Sequence, residues 1–161
     1  MSLLLFSAVT GYACTCVSFP GAKDAMSEAS VVFLGTVVES KLLPQHPEMR
    51  GRRRYQVEFR VERYWKGNPG PVVALHDLEP GTDCLGGGFE PGGEYLVYAA
   101  KDRATDHQLD GLFWFGWTDV LPEGTSILVP VIACMPGGKM SDKTVRKAVR
   151  ALGKGRDPRK G

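Results

Sequence analysis

The residues best placed to do chemistry are in Ala13-Cys14-Thr15-Cys16-Val17, where two of the four cysteines stand one residue apart. A short apolar run, Leu3-Leu4-Leu5-Phe6, precedes them, with small residues at Gly11 and Ala13 just before Cys14. That order reads as the core and cleavage end of an export signal over residues 1–13, shortened because its basic leading segment is missing. Cutting after Ala13 would make Cys14 the mature N-terminus. The product would be secreted, or periplasmic in a bacterial cell. No later apolar run is long enough to span a bilayer.

A free α-amine on Cys14 and the carbonyl oxygen of the same residue can close a five-membered chelate on a metal ion. A catalytic zinc held by three protein ligands keeps one position open for water. An amine and carbonyl fixed at that position would displace the water and remove the nucleophile. The tip must be rigid for this, because ordering a floppy end on binding costs affinity. Disulfides at Cys14 and Cys16 would supply the rigidity, and the Thr15 side chain between them would project outward.

An even cysteine count behind an export-like segment reads as disulfides. Cys14 and Cys16 are too close along the chain to pair without strain. Two cross-linked schemes remain, each tying them to Cys84 and Cys134. The CxxC pairs usual in a four-cysteine zinc site are absent.

No other segment carries a chemical motif. There is no GxSxG, HExxH, P-loop or dinucleotide fingerprint. His46, His76 and His107 lack ligand spacing and read as surface or strand residues. Gly86-Gly87-Gly88 has no following Lys-Ser/Thr and reads as a turn. The chain is therefore expected not to be an enzyme and to carry no cofactor of its own.

The elements that must hold such a tip are strands. At 161 residues, 43% apolar and 24% charged, the chain suits one globular domain. Ser30–Glu39 is β-branched, with Gly35 marking a bulge or bend. Arg54–Trp65 alternates as a long half-buried strand, followed by the turn Lys66–Pro71. Val72–His76, Glu94–Ala100 and Leu109–Trp117 read as further strands. Pro130 makes Thr125–Ala133 an edge strand or an extended lead-in to Cys134. Ser141-Asp142 opens a helix in which Val145, Ala148, Val149 and Leu152 fall at helical spacing before Gly153. Strands in series followed by one helix predict a mainly β fold, a five-stranded Greek-key barrel of OB type with a C-terminal α-helix. The domain would cover residues 14–153, with a loose basic tail over 154–161.

Charge is concentrated at the two basic segments. From Lys139 onward nine Lys and Arg stand against two Asp, a net of +7 that leaves −5 elsewhere in a chain of total +2. Arg50, Arg52, Arg53 and Arg54 form a second cluster. Such patches bind polyanions or are simply solvated faces. The aromatics Trp114, Phe115 and Trp117 suit a core better than a nucleic-acid platform, so no nucleic-acid partner is expected.

Cys14-Thr15-Cys16-Val17 with Pro20 resembles the mature N-terminus of the tissue inhibitors of metalloproteinases. The resemblance continues through Ala29–Gly35, Arg54–Val57 and Tyr64–Gly67. It covers about residues 14–135, the inhibitory domain of that family, within the wider netrin-like group of OB-folds. It implies the pairings Cys14–Cys84 and Cys16–Cys134. It further implies a zinc metalloprotease as partner, whose own zinc would be chelated by the Cys14 backbone. Thr15 would fill the specificity pocket, and Val17, Gly81, Thr82 and Asp83 would complete the contact ridge. Two departures mark a minimal relative: Ser27 stands near where the family has a cysteine of a third disulfide, and the second, cysteine-rich domain is missing. Netrin-like modules that do not inhibit are the alternative, binding an extracellular protein or an anionic polysaccharide through Arg50–Arg54 and the C-terminal helix.

Overall fold

The structure is a computed structural model that describes residues 20–44, 53–79, 88–103, 126–131 and 137–160. Its strands are β1 (Val31–Leu42), β2 (Arg54–Lys66), β3 (Val72–Leu78), β4 (Glu94–Arg103), β5 (Ser126–Pro130) and the two-residue β6 (Gly138–Lys139). A 3-10 turn at Asp24–Met26 precedes them, and the helix α1 (Lys143–Leu152) follows. The strands form one antiparallel sheet in the order β3-β2-β1-β4-β5, with β6 paired to β4.

β1 lies at the centre and is buried on both faces from Val31 to Leu34. Side chains alternate across a strand, so β1 needs two covers. On the concave face Phe33 and Val37 join Val57, Phe59, Leu75 and Val97 in the main core. Phe59 is fully buried and meets Phe33, Phe89 and Tyr95 edge-on, with ring centroids 5.4, 5.1 and 6.4 Å away. On the convex face Val32 and Leu34 pack with Leu96 and Tyr98 beneath Val145, Ala148 and Val149 of α1.

Three register shifts bend the β1–β2 ladder, at Val32/Phe33, Leu34/Gly35 and Val37/Glu39. The second is the bulge expected at Gly35. A Cβ there would stand 2.8 Å from the Arg60 carbonyl oxygen, so the two backbones can approach only because the residue is glycine.

The closed barrel is corrected. The fold is mainly β with a C-terminal helix, but the described strands form an open path whose two edges are β3 and β5. These edges face one another, yet among the described residues no ladder joins them. β5 is only five residues long and ends on Pro130, which has no N–H to donate. The disulfide-anchored N-terminus has no counterpart among the described residues. The described residues contain no disulfide, and Cys14, Cys16, Cys84 and Cys134 all lie outside them. So does the strand expected at Leu109–Trp117.

The helix forms where its signals stand. Asp142 caps it by accepting from the Thr144 backbone N–H at 2.6 Å, and Gly153 ends it with φ 81°. Beyond Gly153 the chain docks on β2 where a loose end was expected. The Tyr64 N–H donates to the Arg156 carbonyl at 2.9 Å, the Arg156 N–H returns a bond at 2.7 Å, and Pro158 is buried. The Trp65 indole N–H donates to the Gly153 carbonyl at 3.1 Å, tying the end of α1 to the sheet.

The aromatic cluster sets the first expected outcome. Phe59→Ala should cost about 3–5 kcal/mol, the usual range for emptying a fully buried aromatic site. Chemical denaturation of wild type and variant measures it.

Candidate polyanion-binding surface

Of the described elements, α1 carries the largest net charge, with Lys and Arg and no acidic residue. Lys143, Lys147, Arg150 and, just past the helix, Lys154 follow at steps of four, three and four, which places them along one stripe. All four are exposed. Val145, Ala148 and Val149 occupy the opposite side and are buried. The helix is therefore split lengthwise into an apolar half on the sheet and a cationic half in solvent.

Some cations elsewhere pair with an acidic side chain. Arg53 pairs with Glu79 at 3.5 Å, Lys139 with Glu90, and Arg159 with Asp157 at 3.0 Å. Among the described residues no acidic side chain pairs with Lys143, Lys147, Arg150 or Lys154. Arg146, one step off the stripe, is occupied locally, donating to the carbonyls of Met140 at 3.0 Å and Ser141 at 2.6 Å. Like charges four residues apart on a helix repel by about 0.2–0.5 kcal/mol per pair, so this row raises the energy of its own helix.

Of the other basic cluster, Arg53 and Arg54 lie among the described residues, and Arg54 does not reach the surface. Arg54 is buried, with its guanidinium donating to the Pro44 carbonyl at 2.6 Å. Burial pulls its pKa down, and its charge and burial together hold the neighbouring His76 below the ordinary histidine range, burial being the larger cause. Arg53 is spoken for by Glu79. Arg50 and Arg52 lie outside the described residues. Arg54 is a structural residue, and the alternation of β2 gave no signal of it, because Arg54 is out of phase with the buried Val57 and Phe59.

Thr15, Val17, Gly81, Thr82 and Asp83, with the four cysteines, also lie outside the described residues, as do His46 and His107. The zinc-chelating inhibitor is corrected on what remains. The disulfide-held tip on which it depended lies outside the described residues, among which no disulfide and no group of three or more His, Cys, Asp or Glu side chains able to hold a metal stands in its support. No helix among them is long and apolar enough to cross a membrane. No family model and no curated protein matches the chain.

A pair of carboxylates stands apart from the stripe. Thr36 on β1 faces Glu94 on β4, and its hydroxyl donates to Glu62 of β2 at 2.8 Å. Burial first, then the Glu62 carboxylate, push the Glu94 carboxyl above its ordinary range, against the pull of Arg63. A concavity of about 360 Å³ near Tyr55 and Phe89 is also lined by carboxylates. Glu79 and Glu90 there are already engaged by Arg53 and Lys139, so it offers no free charge to a ligand.

The Glu94 shift has a definite sign. A carboxyl raised in the folded state binds its proton more tightly folded than unfolded, so its stabilising contribution is present in acid and lost as pH rises through the raised value. Glu94→Gln should therefore raise the denaturation midpoint at neutral pH. It should leave the midpoint unchanged near pH 3, below the ordinary carboxylate range. Urea titrations of both proteins at the two pH values check this.

Proposed function

We propose that this chain is an exported binding module whose working surface is the cationic face of α1 and whose ligand is an anionic macromolecule. This keeps the netrin-like binding module of the resemblance, without inhibition. Export rests on the Leu3–Phe6 run and the small residues before Cys14.

The observation that carries the reading is the row of exposed cations without acidic partners at Lys143, Lys147, Arg150 and Lys154. A solvated face kept only for solubility is ordinarily of mixed sign. This one is single-signed, on a helix whose own propensity it opposes through repulsion. A polyanion laid along it releases counterions and relieves that repulsion together. The stripe from Lys143 to Arg150 is about 10 Å long at 1.5 Å per residue, so it suits a linear ligand better than a single small anion.

Heparin serves as a generic polyanion probe. Wild type should be retained on a heparin column and released by salt. The triple change Lys143→Gln, Lys147→Gln and Arg150→Gln should abolish retention, while Arg53→Gln should not. The slope of log affinity against log salt should fall by about one for each stripe cation removed, on counterion-release grounds. Retention that survives the triple change would place the binding elsewhere.

A further inference from the structure

Beside the stripe runs an apolar groove of about 510 Å³. One wall is α1, through Val145, Ala148 and Ala151; the other is the segment Pro20–Ala22. Lys147 belongs to both surfaces, since it lines the groove and stands in the cationic row. The far wall is fixed, because the buried Tyr98 hydroxyl donates to the Ala22 carbonyl at 2.9 Å. Asp142 closes one end, its carboxylate already used to cap the helix.

We infer that the anionic partner of α1 is a protein segment, extended and acidic, that seats apolar side chains in this groove. The inference rests on the proposed role of the stripe. Charge complementarity fixes the acidic half of the partner, through Lys147 at the groove's rim with Lys143 and Arg150 one turn to either side. The groove fixes the other half, because an apolar trough is filled by side chains of a kind a sulfated or carboxylated sugar chain does not carry. The lengths agree. Thr144 to Ala151 spans about 10 Å of helix, and same-side residues of an extended segment repeat every ~7 Å. Two apolar side chains therefore fit along the wall, with carboxylates between and around them reaching the cations.

The test uses the whole chain and three probes of equal negative charge. Two are short synthetic glutamate peptides, one with two leucines at alternate positions and one with serines there; the third is a heparin oligosaccharide. Wild type should bind the leucine peptide at least about tenfold more tightly than the serine peptide, the gain expected from burying even one of its two leucine side chains. Ala151→Gln, an exposed position given a polar side chain of good helix propensity, should erase that preference and leave the serine peptide's affinity unchanged. Lys147→Gln should weaken all three. Equal affinity for the two peptides overturns the inference, as does a preference that survives Ala151→Gln. Tighter binding of the oligosaccharide than of the leucine peptide makes the partner a polysaccharide; the inference then fails and the stripe stands. If none of the three binds, the stripe reading fails as well.

Discussion

The structure depends on covering both faces of β1. Phe33 and Val37 point to one side of that strand, and Val32 and Leu34 to the other. An antiparallel sheet can leave one face in water, but this central strand cannot. The concave side is satisfied by curling the sheet about Phe59. The convex side requires a separate element, and α1 is that element. Its charged row follows from the same geometry: a helix that gives one stripe to the sheet must give the opposite stripe to solvent.

That division keeps the site and the fold nearly independent. Val145, Ala148 and Val149 hold the helix down, while Lys143, Lys147 and Arg150 contribute nothing to that packing and repel one another along the axis. The row therefore bears on the proposed binding role and not on the packing of the helix. The anchoring lies at the ends, with Asp142 capping the start and Trp65 holding the Gly153 carbonyl at the finish.

Much of this architecture was legible in the sequence because it is written in local periodicity. The alternation of Arg54–Trp65, the Gly35 bulge and the capped helix over 141–153 each follow from a pattern a few residues long, and each stands where it was read. What was not legible depends on residues far apart. Whether β3 and β5 pair is decided across the sheet, and their sequences are equally strand-like either way. Arg54 looked like one member of a basic cluster, but it is buried and its guanidinium donates to the Pro44 carbonyl. The docking of Arg156 onto Tyr64 joins segments some ninety positions apart, with no motif at either end. The Cys-Thr-Cys tip drew the most specific reading from the sequence. It lies outside the described residues, and the cationic surface was visible only as a count of positive charges until the helix gave them a direction.

The clamp formed by Trp65 and the Arg156 bridge has a kinetic consequence. A cationic helix free to fray would have to order itself during each encounter, and that step would slow association. Here the end of α1 is pinned to β2 at Gly153 and again at Arg156, so the row of charges is held in place. For the polyanion binding proposed above, capture would then require no folding step. Long-range steering would set its rate, which would fall steeply as ionic strength rises. Rigidity at the helix terminus thus acts on how quickly the surface is found, apart from how tightly it holds.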